Sequence, residues 1–242
     1  MTSEKVVLFD LPSKPPVTGW SPNAWKARFA LKFKGVDYHT EWLEFPEIKP
    51  RLEPHVPANK EGWQYTIPTL LLPDGTYVMD NQNIAEYLEQ TYPEPSLQLD
   101  SPYLFKIEAL RTKLFEAILP ALGSEVSRRI LNPPSAEYWD ATRSQPFGTS
   151  LDILAKERGE EAWNESEAVL KNITELLSEN SDGPFFAGQT VGYADFVWAG
   201  VLLFMQKLGE DAAAEGLKRT GDPQVHLALL QALSPWMQDN DR

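Results

Sequence analysis

The sequence predicts two units of different class, an α/β domain over residues 1–93 and an all-helical bundle over residues 102–242. Three observations carry that reading. Up to residue 93, short apolar runs alternate with turn signals and two amphipathic stretches, in the order β-α-β, crossover, β-β-α. After Pro93-Glu94-Pro95 the strand-like alternation stops and only helical spacings follow. The run from Ala194 to Leu208 is apolar nearly all round and carries Asp195 as its sole carboxylate, which marks a helix at the centre of a helical core.

The elements follow in order. Residues 5–11 form a buried strand, closed by a loop with Pro12, Pro15, Pro16 and Gly19 that no regular element tolerates. From Pro22 to Lys34, Trp25, Phe29, Ala30 and Phe33 recur at helical spacing, and Gly35 stands where a C-terminal cap belongs. Tyr38 to Leu43 alternates and makes a second strand, parallel to the first. Residues 44–66 carry four prolines and read as an irregular crossover. Ile67–Leu72 and Tyr77–Met79 flank Pro73-Asp74-Gly75-Thr76, which predicts an antiparallel hairpin, with Pro68 at a strand start or in a cis bend. Asp80 or Asn81 then caps a helix through Tyr92 whose inward face is Ile84, Tyr87 and Leu88. In the second domain, Leu104, Ile107, Leu110, Leu114 and Ile118 mark one helix, and Trp163, Val169, Leu170, Ile173, Leu176 and Leu177 another.

Composition narrows the function. Of the 242 residues, 42% are hydrophobic and 24% charged, as in ordinary globular proteins. The net charge of −13 divides into −3 over residues 1–93 (9 basic, 12 acidic) and −10 beyond (13 basic, 23 acidic), a balance that repels nucleic acid and anionic membrane surfaces. Met1-Thr2-Ser3-Glu4-Lys5 runs straight into the first strand without a signal-like apolar region, so a cytoplasmic address is expected. There is no cysteine, so any thiol chemistry uses another molecule's sulfur. Three scattered histidines lack metal-site spacing, and no metal is expected.

The chemistry-bearing segment is Ser21-Pro22-Asn23-Ala24-Trp25-Lys26. A hydroxyl just before a helix, with proline at its first position, presents a side chain and free N–H groups to an anion. Taken alone it is an ordinary helix cap. In context, the small β-α-β and β-β-α domain joined to a helical domain resembles the soluble glutathione transferases over essentially the whole chain. That family pairs a thioredoxin-like α/β domain with an all-α bundle. Ser21-Pro22-Asn23-Ala24 resembles its active-site position, Ile67-Pro68 its cis-proline, Asp80-Asn81 with Ile84 and Tyr87-Leu88 its glutamyl-binding turn, and Gly188 to Phe196 the cap of its buried helix. The wording of Trp20 to Gly35 and of Val78 to Leu88 is most similar to the β-etherase-like branch of bacteria and fungi.

The resemblance implies a glutathione cosubstrate whose thiolate is stabilised by Ser21 and the helix N–H groups, with Asn23 a rival donor. It implies that Ile67, before Pro68, pairs its backbone with the cysteinyl part of the peptide. Asp80 would meet the glutamyl ammonium and Asn81 its carboxylate, although the family turn usually reads acid-serine. Lys49, Arg51, Lys60 and Gln64 compete for the glycyl carboxylate. An apolar acceptor site between the domains would take Trp20, Tyr103, Phe115 and Leu119, with Trp25 in the core. Asp195 is read as a fold-stabilising cap, behind Gly192 where the family usually has serine or threonine. A homodimer acting on a small aromatic or hydrophobic electrophile is implied, by conjugation or aryl ether cleavage. A ligandin holding aromatic compounds in the cleft, and a regulatory or assembly module of the same shape, are the alternatives.

Overall fold

The computed structural model describes residues 5–237. Strands β1 (Val6–Asp10), β2 (Tyr38–Trp42), β3 (Thr69–Leu71) and β4 (Tyr77–Met79) form one sheet in the order β2-β1-β3-β4. β1 runs parallel to β2, with Leu8 opposite Thr40, and antiparallel to β3, with Leu8 opposite Leu70. β3 and β4 close the hairpin, Leu70 opposite Val78. Helix α1 (Pro22–Phe33) joins β1 to β2, as a parallel pair requires. It ends at Gly35, whose φ of 67° is one that glycine adopts without strain.

The crossover is not wholly irregular. Helix α2 (Phe45–Leu52) occupies its first part, against the sequence expectation. Pro46 lies in the first turn, where no intrahelical donor is needed, and the Glu44 N–H donates to the Glu47 carboxylate at 2.8 Å. Pro50 sits inside the helix and removes one hydrogen bond, which a two-turn helix packed by buried Ile48 and Leu52 absorbs. Helix α3 (Asn81–Thr91) follows the sheet, capped by Asp80, whose carboxylate accepts the Gln82 N–H at 3.0 Å. The helical domain comprises α4 (Pro102–Glu125), extended by a π-helical stretch at Val126–Ile130, then α5 (Pro133–Ser144) and α6 (Leu151–Ser178). α7 (Tyr193–Leu208), α8 (Glu210–Arg219) and α9 (Pro223–Leu233) complete it.

The core is continuous across the two domains. Leu8, Phe9, Phe29 and Leu31 are fully buried in the first, and Phe196, Val197, Trp198 and Val201 in the second. Phe29 of α1 stacks on Phe196 of α7 with centroids 5.2 Å apart. α7 reaches the N-terminal turn of α1 because position 200 is glycine: a Cβ there would stand 2.8 Å from the Pro22 carbonyl oxygen. The buried helix thus fixes the end of α1 on which the site depends.

Two buried titratable groups beside α7, Asp195 in its cap and His226 on α9, have opposite pH behaviour. Asp195 is 1% exposed and accepts the Phe186 N–H at 2.9 Å and the Gly192 N–H at 2.7 Å, so it is the cap that the sequence suggested. Burial outweighs these bonds and pushes its carboxyl up to about 7. The folded state then holds a proton that the unfolded chain releases near pH 4, so this contribution is complete below pH 4 and is lost as pH rises through 7. Buried His226, whose Nδ1 accepts the Trp198 Nε1–H at 2.9 Å, is pulled down to about 4 by desolvation. Its contribution is present above the unfolded value of 6.5 and is lost as pH falls through 4. The two slopes oppose each other between pH 4 and 6.5. His226→Gln is expected to expose the Asp195 slope alone, with urea midpoints that fall from pH 4 to 7 more steeply than in wild type.

Candidate active site

A cleft of about 1310 Å³ opens between the two domains. Asn23 and Lys26 of α1 line it, with Phe45, Ile48 and Lys49 of α2 and the segment from Gly62 to Ile67. Asp80, Asn81 and Gln82 add the start of α3. Leu104, Phe105, Glu108 and Arg111 of α4, Tyr138 and Arg143 of α5, and Tyr193 of α7 close the other side.

Helix chemistry sets the anion-facing end. Pro22 starts α1, and the main-chain N–H groups of Asn23 and Ala24 have no acceptor among the described residues, as the first turn of any helix dictates. Asn23 lines the cleft, and its side-chain amide makes no hydrogen bond among the described residues. Ser21 is 5% exposed and is not among the residues that line the cleft, and its hydroxyl does not cap the helix. Its carbonyl accepts the Trp25 N–H at 3.0 Å and so begins the helix.

Beside this end lies an open stretch of backbone. The Ile67-Pro68 peptide is cis, as the sequence suggested, and β3 begins only at Thr69. The Ile67 N–H and C=O consequently have no partner among the described residues. Next to them the buried Thr66 Oγ1 is also without a partner. Asp80 adopts φ 82°, a left-handed conformation that costs a non-glycine residue about 1–3 kcal/mol. The Asn81 Oδ1 is buried and unpartnered, while its carbonyl accepts the Tyr193 hydroxyl at 3.4 Å, a bond that crosses the domains. A buried acceptor without a donor costs about 1–3 kcal/mol, and a ligand ammonium or amide would recover it.

The charges of the cleft divide into committed and uncommitted groups. Glu108 of α4 accepts from Lys26 Nζ at 3.0 Å and Arg111 Nε at 2.7 Å. Burial pushes Glu108 up, but the Lys26 and Arg111 charges outweigh it and hold the carboxyl below its usual value. Burial and the Arg111 charge pull Lys26 down from the usual lysine value. Of the four candidates for the glycyl carboxylate, Lys49 and Gln64 line the cleft and Arg51 and Lys60 do not. Arg51 binds Glu41 at 3.0 Å and the Tyr77 hydroxyl at 2.7 Å, with its guanidinium over the Phe9 ring.

The aromatic wall is not the one expected. Trp20 is buried behind Phe45, in a cluster with Trp139 and Phe204 at centroid distances of 6.3–6.4 Å. Tyr103 packs on Phe186, Phe115 on Phe204, and Leu119 lies against Gly123; none of the three lines the cleft. Tyr103 and Phe115 are half-buried and pack against the core. Trp25 lies in the core beside Phe29, as expected. The wall comes instead from Phe45, Trp63, Tyr65, Leu104, Phe105 and Tyr138. Trp63, an isolated large aromatic in a proline- and glycine-bearing loop, was the one signal that the sequence offered for it.

A four-stranded sheet with a cis-proline before β3, an open helix terminus beside it and a helical domain closing the cleft define the two-domain architecture of the thioredoxin-like transferases. Comparison with known proteins agrees. The N-terminal domain of glutathione S-transferases matches residues 20–91, and the C-terminal domain of the same family matches residues 104–225. The chain therefore belongs to the glutathione S-transferase family, and it is a glutathione transferase. A glutathione S-transferase-like protein, ustS, of Aspergillus flavus is 29% identical over 212 residues, covering 78% of this chain and 76% of that protein. The crystal structure of glutathione transferase GSTFuA3 from Phanerochaete chrysosporium superposes with a TM-score of 0.84 at 27% identity, covering 98% of this chain and 99% of that one. That of CsGST63524 from Ceriporiopsis subvermispora, in complex with glutathione, gives 0.81 at 28%, covering 99% and 100%. Among the described residues no helix is long and apolar enough to cross a membrane.

Proposed function

We propose that the chain binds glutathione along Ile67 and the start of α3, and uses its thiolate to attack an aromatic or hydrophobic electrophile in the interdomain cleft. One observation carries the reading: Asn23, whose main-chain N–H and side-chain amide have no partner among the described residues, lines the same cleft as Ile67, whose backbone is unpaired. An extended peptide laid along Ile67 pairs its cysteinyl N–H and C=O like a short added strand, which brings its sulfur to the end of α1. Asp80 and the Asn81 Oδ1 accept from the glutamyl ammonium. The Asn81 amide N–H donates to the glutamyl carboxylate, and Lys49 or Gln64 holds the glycyl carboxylate.

A free thiol with a pKa of about 8.5 is only a few per cent ionised at neutral pH. Asn23, the first N–H groups of α1 and the positive end of its dipole favour the anion, and Ser21 holds the turn that presents them. The thiol proton leaves to solvent. The sulfur then bonds to the electrophilic carbon, and a halide or phenoxide departs with the electron pair of the broken bond; with an activated alkene the C=C π bond breaks instead, and its electron pair takes up a proton from solvent. Aryl ether cleavage is the case in which the leaving group is a phenoxide.

The cleft exceeds the roughly 300–1,000 Å³ of ordinary ligand sites, which leaves space for the peptide and a second ligand together. The same space suits a ligandin that carries aromatic compounds without turnover. Calorimetric titration with glutathione, followed by assay with 1-chloro-2,4-dinitrobenzene, separates the readings. Binding with turnover is the expected result. Binding of aromatics without turnover supports the ligandin, and failure to bind glutathione contradicts both the mechanism and the site. A homodimer belongs to the same proposal, and sedimentation equilibrium is expected to read twice the chain mass.

A further inference from the structure

Arg143 on α5 lines the cleft and has no carboxylate within ion-pair distance among the described residues. Its guanidinium carbon lies 4.5 Å from the Trp63 ring centroid and 4.8 Å from that of Trp139. Its one side-chain hydrogen bond runs from Nη1 to the Thr142 hydroxyl at 2.9 Å, which leaves most of its five N–H donors unused. Of the other cations of the cleft, Lys26 and Arg111 are engaged with Glu108, and Lys49 is solvent-exposed, 3.8 Å from Glu53 one helical turn away. The cleft carboxylates are engaged as well, Glu108 by those two cations, Asp80 by the Gln82 N–H and Glu86 by the Gln82 side chain.

A half-buried guanidinium with no counter-ion is a costly arrangement, and its burial pulls its pKa down. The two tryptophans lock the planar fork and cover part of it without neutralising it. Next to it Tyr138 stacks on Phe45 at 5.6 Å with the ring planes 10° apart, both rings facing the cleft. The corner thus offers flat apolar surface with one fixed fork of donors at its edge.

We propose that Arg143 determines acceptor specificity by binding the carboxylate of an aromatic acid whose ring lies against Phe45 and Tyr138. The fork matches the two oxygens of a carboxylate, and the anion completes a charge that the protein leaves open. The inference rests on the transferase reading for what happens to the acid after binding, but the binding itself is read without glutathione.

The test is calorimetric titration of wild type, Arg143→Gln and Arg143→Lys with 2-naphthoate and with its neutral isostere 2-naphthamide. Wild type is expected to bind the acid about 10- to 100-fold more tightly than the amide, the range that a charge-assisted bidentate pair supplies. Arg143→Gln is expected to abolish that preference while the naphthamide affinity stays within about twofold, and Arg143→Lys to keep a reduced preference. Equal affinities in wild type, or a preference that survives in Arg143→Gln, overturn the proposal. The titration is repeated with the protein saturated in S-methylglutathione. Unchanged naphthoate affinity supports an acceptor site, whereas competitive displacement assigns Arg143 to the glycyl carboxylate of the peptide and overturns it. Failure of S-methylglutathione to bind contradicts the transferase reading alone, because the naphthoate comparison stands without it.

Discussion

Asn23→Ala is expected to lower kcat/KM for conjugation of glutathione to 1-chloro-2,4-dinitrobenzene by about 10- to 100-fold. A hydrogen bond to a charged group contributes about 1.5–3 kcal/mol, and each 1.4 kcal/mol is a factor of ten. The loss falls on the thiolate, so it is largest near neutral pH and shrinks as pH approaches that of free glutathione ionisation, where the anion forms unaided. Ser21→Ala is expected to cost less, because Ser21 is buried, does not line the cleft and lends α1 its carbonyl rather than its hydroxyl. The reverse order, with Ser21→Ala the more damaging, would show that the serine hydroxyl turns toward the sulfur when the peptide binds. Conservative replacement by Asn23→Ser keeps a donor and is expected to restore part of the rate.

The second large effect is on stability. Arg28 of α1 and Asp10 at the end of β1 are both essentially inaccessible, with Nε donating to Oδ2 at 2.7 Å and Nη2 to the Thr40 hydroxyl at 3.0 Å. The guanidinium also lies 5.2 Å from the Trp42 ring centroid, so one side chain ties α1 to β1 and β2. Arg28→Met leaves a carboxylate buried without its cation and is expected to destabilise the protein by about 3–5 kcal/mol, read from urea denaturation. Much of the loss should return in the double variant Asp10→Leu/Arg28→Met, since replacing both partners by apolar groups removes the uncompensated charge as well as the pair. A single variant within 1 kcal/mol of wild type would mean that Asp10 takes up a proton at little cost. Since Arg28 lies in the middle of α1, the single variant is also expected to loosen the helix terminus that faces the cleft.

The sheet and α1 were legible because their signals are local. Val6–Phe9, the Pro-Asp-Gly turn and the Trp25/Phe29/Phe33 spacing each state their element within a few residues, and the all-apolar Ala194–Leu208 run states its burial. α2 was hidden by Pro46 and Pro50, which read as breakers although the first sits where a helix tolerates it. The cis bend at Ile67-Pro68 and the Asp80 cap were legible for the same local reason, since a proline at a strand start and a cap at a helix start sit at fixed offsets from elements already placed; the peptide-binding roles proposed for Ile67, Asp80 and Asn81 came from the family resemblance. The aromatic wall of the cleft was not legible. Phe45, Trp63, Tyr138 and Arg143 come from a helix, a loop and a second-domain helix that meet only in the folded chain. Tyr103 and Phe115 show the converse, since helical spacing tells that a side chain packs inward without telling which neighbour it meets. Trp20 borders Ser21 in sequence, yet it packs behind Phe45 instead of facing the ligand space.

The claim on which the functional account turns is that the open end of α1 lowers the thiol pKa of bound glutathione. Ultraviolet absorbance of the thiolate, titrated across pH for glutathione bound to wild type and to Asn23→Ala, measures it directly. The expected wild-type pKa is at least one unit below that of the free thiol, which corresponds to about 1.4 kcal/mol of preferential stabilisation, with a return toward the free value in the variant. Glutathione bound with an unshifted pKa in wild type, or an equal shift in both proteins, would contradict it.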